Sequence, residues 1–237
     1  MPTDGLFSET EKMIPYKELK TSKKFPFITL LIIGINIALF TYMLILPLKE
    51  TDAFVCRYAA IPLEFRLGHN LSISPGVEPI FTVFTAMFMH GGWFHIIGNM
   101  LYLWIFGASV EGNIGHWRFF VFYMMCGFLA TFAQIYTNFD SRIPLLGASG
   151  AIAGVLAAYL RLFPKAKIAV LIPIFYFLRK FILPAWVVLT FWIVMQIVEV
   201  QMTPATESGG VAYFAHIGGF ISGFLFLPVF QKNRRRR

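Results

Sequence analysis

A serine and a histidine that lie far apart in the chain are the residues best suited to nucleophilic chemistry. Ser149 lies in the small-residue stretch LLGASGAIAG, and His216 lies near the start of the last long apolar segment. A serine hydroxyl is a weak nucleophile at neutral pH unless a base lies within hydrogen-bond reach, and neutral imidazole is the usual base. An ionisable residue inside an apolar membrane segment also indicates a functional site. The pair therefore predicts acyl-transfer chemistry.

Acyl transfer also requires hydrogen-bond donors for the negative charge that develops on the carbonyl oxygen. Ser149 opens a predicted helix, where free backbone N–H groups and the helix dipole favour negative charge. His95 and Asn99 are four residues apart in HIIGN and so share one face of a helix. Alone, this spacing is also typical of an ordinary polar contact between two helices. Beside Ser149 and His216 it predicts an oxyanion hole.

Glycines at intervals of four predict that the helices carrying the serine and the histidine pack closely. Gly150 and Gly154 follow the serine, and Gly219 and Gly223 follow the histidine. This small-xxx-small pattern lets membrane helices approach with their backbones nearly in contact. Ordinary helix packing is the alternative explanation of each pair, but close packing at these positions also brings the hydroxyl and the imidazole together.

The elements that must position these side chains are membrane helices. Hydrophobic residues make up 57% of the 237 residues, aromatic residues 17%, and the mean hydropathy is +0.68, far above the averages for soluble domains. The net charge of +8 lies at the chain ends and in a few loops, which is typical of topogenic charge and not of a nucleic-acid-binding surface. The two cysteines, Cys56 and Cys126, predict no disulfide framework.

Six apolar segments can cross a bilayer as helices. Two further apolar runs, 79–89 and 168–178, are too short to cross, and we expect both to lie at the membrane interface. The chain thus divides into a cytoplasmic N-terminal segment (1–24), a six-span domain (25–231) and a basic cytoplasmic tail (232–237). The predicted spans are 27–46, 93–110, 117–136, 149–163, 183–201 and 211–230.

The distribution of lysine and arginine orients the six spans. Of the 20 Lys and Arg residues, 16 lie on the side of the two termini and 4 lie on the other side. The positive-inside rule therefore predicts that both termini are cytoplasmic. In this topology spans two, four and six all begin at the outer face, so His95, Ser149 and His216 are expected at a similar depth.

The fourth span is too short for the bilayer. Its 15 residues make about 22 Å of helix, whereas the hydrocarbon core is about 30 Å thick. Because Pro164 and Lys165 fix its inner end, we expect Ser149 to be recessed below the outer surface, with the loop 138–148 dipping in to meet it. Irregular backbone at that depth is tolerated only beside protein or a water-filled cavity. The shortfall therefore predicts a cavity that supplies water.

Other proteolytic and transport chemistries fit the sequence less well. No HExxH zinc motif is present, no aspartate lies in a predicted span, and the pattern GxSxG fails at Ala151. The residues therefore predict neither a metal nor a cofactor. A transporter or channel would explain polar groups at one depth, but the six spans show no evident repeat and few intramembrane polar residues.

Three motifs in the same order resemble those of the rhomboid intramembrane serine proteases. They are FMHGGWFHIIGNMLYLWIFGASVEGNIGHWRF, GASGAIAG and AHIGGFISG, and the resemblance covers roughly 79–230. It implies an all-α membrane protein, a rhomboid-like bundle of six transmembrane helices with the first loop (47–92) at the interface. Its partners are expected to be transmembrane protein substrates and membrane lipid, and not nucleic acid. The minimal core favours a bacterial cytoplasmic membrane, and the oligomeric state stays open.

The resemblance also assigns roles to individual residues. It implies that Ser149 is the nucleophile and His216 the base of a dyad without a carboxylate. The side chains of His95 and Asn99 and the backbone N–H of Ser149 correspond to the oxyanion hole. The structural motif positions are His90, Gly147, Gly150, Gly154, Gly219 and Gly223, with Glu111 and Arg118 as a pair between spans two and three, for which two separate interfacial charges are the alternative.

One position departs from the family pattern. Some members have an aromatic residue one turn after the serine that stacks on the imidazole, whereas this chain has Ala153. What orients His216 is therefore open, with Tyr159 and Tyr213 as candidates. The predicted function is cleavage of single-span proteins in or near their transmembrane segment, with span five on the mobile side of the substrate entrance. The alternative is a rhomboid-like protein that binds such clients without cutting them.

Overall fold

A computed structural model of the protein describes residues 13–19, 24–71, 77–174, 177–202 and 212–231. Five helices in these ranges are long and apolar enough to cross a membrane, and a shorter apolar helix lies among them. The predicted helical membrane bundle is thus confirmed, while the predicted tail 232–237 lies outside the described residues. The spans are α1 (Phe27–Ile45), α5 and α6 (Trp93–Tyr102 and Ala108–Ile114, joined by a π-helical turn at Leu103–Gly107), α7 (His116–Thr137), α8 (Ser149–Leu162), α9 (Ala185–Met202) and α10 (Tyr213–Phe230).

The first loop consists of short helices and not of a further span. Helices α2 (Leu48–Tyr58), α3 (Pro62–Leu67) and α4 (Pro79–Ala86) follow one another between spans one and two. Proline occupies the first turn of α3 and of α4, where its missing N–H costs no hydrogen bond. The loop contacts the segment before span four, because Ala60 pairs with Leu145 through two backbone hydrogen bonds.

The fourth span, α8, is the centre of the bundle. All ten residues from Gly150 to Tyr159 are buried, and spans three and six pack along it. Its 14 residues make about 21 Å of helix, less than the thickness of the hydrocarbon core. Because protein and not lipid surrounds it, a helix of this length leaves no apolar mismatch.

Spans four and six contact each other through glycine. A Cβ atom on Gly219 would overlap the carbonyl oxygen of Gly150, and one on Gly223 would overlap the backbone of Gly154. The two glycine pairs singled out in the sequence thus face each other. Their contact sets the helix separation close to the minimum that two backbones allow.

Glu111, at the end of span two, holds the start of span one. Its fully buried carboxylate accepts hydrogen bonds from the backbone N–H groups of Ile28 and Thr29, both at 2.8 Å, and from the Thr29 hydroxyl at 2.6 Å. A negative charge is favourable at a helix N-terminus. The expected pair of Glu111 with Arg118 is not formed, since the carboxylate lies 2.5 Å from Nδ1 of His116 and Arg118 is exposed.

A three-stranded antiparallel sheet, which the sequence pattern did not reveal, lies where span four ends and span five begins. Strand β1 (Ile14–Glu18) pairs with β2 (Lys167–Ile174), and β2 pairs with β3 (Phe177–Pro184). The described residues of the run 168–178 therefore lie in two paired strands, and span five begins at Ala185 and not at 183. An apolar run of this kind lacks the alternation that distinguishes a strand from a buried helix.

Glu18 ties the N-terminal strand to span two. Its buried carboxylate accepts a hydrogen bond from the Ser109 hydroxyl at 2.6 Å. Burial raises the pKa of Glu18 above its usual range, which the nearby hydroxyls of Ser109 and Tyr159 offset only in part. Tyr159 therefore lies at this end of span four, about 15 Å along the helix axis from Ser149. It is too distant to orient His216.

We expect Gly219→Ala to destabilise the bundle by roughly 1–3 kcal/mol, the usual cost of overpacking a core. The added methyl group meets backbone, which cannot rotate away. Gly34→Ala in span one is the matched control, because nothing lies within 4 Å of a Cβ at that position. Thermal unfolding of both purified variants in one detergent measures the difference. Equal unfolding midpoints would contradict the close contact of spans four and six.

Candidate active site

The structure brings Ser149 and His216 together. The serine Oγ lies 2.8 Å from Nε2 of the imidazole, although 67 residues separate the two in sequence. Ser149 is the first residue of α8, and His216 lies in the first turn of α10. The glycine contact between these helices begins directly after both residues. At this distance the imidazole can take the hydroxyl proton.

A third side chain, Gln196 of span five, contacts the same imidazole. Its Oε1 lies 2.7 Å from Nδ1 of His216, and the residue is 1% exposed. Sequence reasoning missed Gln196. The only available signal is a single amide in an otherwise apolar stretch of the span, and that signal does not reveal its partner.

Two aromatic rings border the imidazole of His216. The ring of Trp192, one turn before Gln196, lies 5.6 Å from it between centroids and is tilted by 41°. The ring of Tyr213 lies 6.4 Å away, edge to face. Of the two tyrosines considered from the sequence, Tyr213 therefore contacts the imidazole and Tyr159 does not. Trp192 supplies from span five the aromatic contact that Ala153 cannot provide.

His95 and Asn99 lie beside Gly147, two residues before the serine. Gly147 has a φ of +124°, and a Cβ there would lie 2.6 Å from Nε2 of His95 and 3.8 Å from Nδ2 of Asn99. Glycine thus leaves room for both side chains next to the start of span four. The backbone N–H of Ser149 lies in the first turn of the helix, where it has no carbonyl partner from a preceding turn. His95 and Asn99 thus lie close to the segment that leads into Ser149.

His90 positions Asn99. Nδ2 of Asn99 donates to Nε2 of His90 at 2.9 Å, and the rings of His90 and His95 meet edge to face. Burial, together with the neighbouring His95, lowers the pKa of His90 to about 3. Its imidazole is thus neutral near pH 7 and can accept. These contacts fit the structural role expected for His90, and they leave the second amide hydrogen of Asn99 for a ligand.

A small cavity opens beside the serine. Its volume is about 30 Å³, and Ser149 and Gly147 line it together with Thr131 and Gln134 of span three. One water needs roughly 10–15 Å³ and polar partners, so the cavity can hold water next to the hydroxyl. The backbone leading to the serine is satisfied by protein, since the Gly147 N–H donates to the Ala86 carbonyl at 2.9 Å.

A hydroxyl, two imidazoles, an amide and a small cavity thus lie together near the start of span four. In the part of the chain that the structure describes, no group of three or more His, Cys, Asp or Glu side chains could hold a metal ion. Fold and site together define a multi-pass membrane protein with a serine–histidine pair inside its helix bundle.

Comparison with known proteins identifies the family. Residues 78–233 match the Rhomboid domain, and the chain belongs to the rhomboid family, whose function is of the intramembrane protease type. The resemblance inferred from the three motifs is thereby confirmed.

Three relatives show how far the similarity extends. The chain is 28% identical to Rhomboid protein 1, mitochondrial, of Saccharomyces cerevisiae over 96% of this chain and 60% of that protein. It is 30% identical to RHOMBOID-like protein 1 of Arabidopsis thaliana over 78% and 42% of the two chains. For Presenilin-associated rhomboid-like protein, mitochondrial, of Bos taurus the identity is 30% over 60% and 36%. The chain thus spans 60% or less of these curated relatives.

We expect Gly147→Ala to slow reaction of Ser149 with a serine-directed fluorophosphonate by roughly 10²-fold, the loss typical of removing one oxyanion donor. The new methyl group displaces the His95 ring. Gly68→Ala is the matched control, because Gly68 also has a positive φ, of 72°, but nothing lies within 4 Å of its Cβ. Labelling rates on folded protein provide the measurement. Equal labelling rates for both variants would contradict a contribution of His95 to the reaction of Ser149.

Proposed function

We propose that this protein is an intramembrane serine endopeptidase that cleaves single-span membrane proteins in or near their transmembrane segment. The observation that carries the proposal is the 2.8 Å contact between Ser149 Oγ and His216 Nε2 at the start of a short, buried helix. An ordinary polar contact between two helices needs no cavity, whereas a cavity of about 30 Å³ borders Ser149, and His95 and Asn99 lie beside Gly147, two residues before it.

In the proposed reaction, Ser149 Oγ attacks the scissile carbonyl carbon while Nε2 of His216 takes its proton. The oxyanion is stabilised by the Ser149 N–H and by the side chains of His95 and Asn99. The imidazolium then protonates the leaving amine, the C–N bond breaks, and an acyl-enzyme remains. Water in the cavity attacks the ester with His216 again as base, which releases the carboxyl product and restores the serine.

The substrate class follows from the depth of the serine. A peptide bond reaches Ser149 only if it leaves helical hydrogen bonding, so we expect small or helix-destabilising residues near the cut. Spans two and five border an apolar cavity lined by Tyr102, Val188 and Trp192. Since Trp192 also contacts His216, this cavity lies next to a residue that borders the imidazole, which supports substrate entry between these two spans.

The proposed orientation rests on charge. The excess of lysine and arginine on the side of both termini places them in the cytoplasm, and the serine then lies toward the outer face. The bacterial cytoplasmic membrane stays our prediction for the location. Two of the relatives are named as mitochondrial, a statement that concerns those proteins.

We expect purified wild-type protein to react with a fluorophosphonate probe and, in liposomes, to cut a single-span reporter with glycine near its outer end. Ser149→Ala and His216→Ala should abolish both activities, because nucleophile and base act as a unit. Ser222→Ala is the control. It removes a buried hydroxyl that donates to the Gly219 carbonyl in span six, so both activities should persist.

The same experiment decides between cutting and binding. Folded wild-type protein that neither reacts with the probe nor cuts the reporter, while still capturing it, would replace the protease with the client-binding alternative.

A further inference from the structure

We infer that Gln196 is a positioning residue that fixes the imidazole of His216 in the tautomer and orientation needed for attack by Ser149. The inference rests on the proposed protease function and goes beyond it by adding a third residue, from a third helix. It supplies an answer to what orients the imidazole in a chain that has Ala153 where some family members have an aromatic residue.

Two hydrogen bonds connect three side chains in series. Gln196 Oε1 lies 2.7 Å from Nδ1 of His216, and Nε2 of the same ring lies 2.8 Å from Ser149 Oγ. Gln196 is 1% and His216 8% exposed, so water does not compete for the amide contact. The three residues belong to spans five, six and four.

The chemistry of the amide oxygen selects one tautomer. A carbonyl oxygen only accepts, so a hydrogen bond to Gln196 requires the imidazole hydrogen on Nδ1. Nε2 then presents its lone pair to the serine hydroxyl and can take the proton. The other tautomer presents an N–H to Ser149 and cannot act as base. The hydrogen bond between Gln196 and Nδ1–H therefore determines whether the imidazole can act as the base for Ser149.

A neutral amide suits this position better than a carboxylate. A buried carboxylate in a membrane span carries a large desolvation cost unless several donors surround it. An amide oxygen fixes the same tautomer without a permanent charge, and it still accepts from Nδ1–H when the ring becomes an imidazolium. The rings of Trp192 and Tyr213 border the imidazole. These contacts limit rotation of the imidazole about its Cβ–Cγ bond, so they act together with the hydrogen bond to Gln196.

The test compares Gln196→Leu with Gln196→Glu in reporter cleavage. Gln196→Leu keeps the volume but removes the acceptor, so we expect kcat to fall by roughly 10²-fold with KM unchanged. This is a smaller loss than the approximately 10⁴-fold cost of replacing the orienting carboxylate of a serine protease triad. Ser222→Ala, which removes a buried hydrogen bond without touching the ring, should leave kcat within about twofold of wild type.

Gln196→Glu separates positioning from packing. A carboxylate again accepts from Nδ1, and its charge favours the imidazolium, so the acid limb of the kcat profile should move to higher pH while activity at alkaline pH recovers. A purely structural role would not move this limb. An unshifted profile, or a Gln196→Leu enzyme with wild-type kcat, overturns the inference, whereas an inactive wild type overturns the protease function itself. If Gln196→Leu does not fold, the pH profile of Gln196→Glu decides.

The geometry also points to an independent surface: the β2–β3 hairpin binds anionic phospholipid headgroups. In the sheet that the structure describes, β3 is an edge strand, and its residues 177–182 are exposed on both faces. Four of these six are large and apolar, and the two between them are Arg179 and Lys180. An edge of this composition facing water would favour aggregation.

The position of the hairpin indicates what binds its exposed edge. Strand β2 begins five residues after the end of span four, and β3 ends where span five begins, so we expect these two strand ends near the boundary of the bilayer. Apolar side chains can enter the interface there, while Arg179 and Lys180 extend their charges to lipid phosphates. Continuity with the lipid-facing helices and the cationic pair together favour an anionic lipid surface over a protein partner.

A fluorophore that reports polarity, attached to Cys at position 178 after Leu178→Cys and Cys56→Ser, tests this surface. Cys126 is buried and stays unlabelled. We expect blue-shifted emission in phosphatidylcholine vesicles, with a further shift when phosphatidylglycerol is added. Arg179→Gln with Lys180→Gln should remove the further shift, and the control, Lys49→Gln with Arg142→Gln, should keep it.

Three results would overturn the lipid surface. Emission as in water in both vesicles excludes contact with the membrane. A shift that is independent of anionic lipid excludes headgroup binding. A shift that depends on protein density but not on lipid charge assigns the edge strand to a second copy of the chain.

Discussion

The backbone contact between spans four and six is the constraint on which the rest of the site depends. Lipid provides no hydrophobic force that drives helices together, so their association relies on close packing and polar contacts. The glycines of the sixth span lie directly against those of the fourth. Because Ser149 precedes one glycine pair and His216 precedes the other, the contact that holds the helices together also sets the 2.8 Å separation of hydroxyl and imidazole.

The short length of the fourth span explains why Ser149 lies inside the bundle and not at its surface. Its 14 residues are surrounded by helices of 18 to 22 residues, so its first residue begins inside the bundle. The irregular backbone before it needs hydrogen-bond partners at that depth. The first loop supplies them, since Ala60 pairs with Leu145 and the Ala86 carbonyl accepts from Gly147. A loop that looks peripheral in the sequence is therefore part of what holds the serine in place.

The sequence was sufficient to predict the helical membrane bundle, and it singled out Ser149 and His216, which the structure brings together; the roles of these residues on a substrate stay a prediction. A hydroxyl, two imidazoles and an amide in apolar segments are conspicuous, and the glycine spacing indicates which helices meet. Gln196 was not predictable, because the presence of an amide in a membrane span does not reveal which residue it contacts. The pair of Glu111 and Arg118 failed for a related reason, since the free N–H groups of span one are a better partner than an exposed guanidinium. Strand β2 was not predicted, because its run of apolar residues lacks the alternation of a half-buried strand.

Buried polar groups are stabilised differently in two parts of the bundle. At Glu111, a buried carboxylate accepts hydrogen bonds from three donors at the start of span one. Around the serine, the amides of Gln196 and Asn99 and the neutral ring of His90 orient their neighbours without any fixed charge. Charge would then appear there only as oxyanion and imidazolium form together, when prearranged donors in a site of low dielectric are worth most.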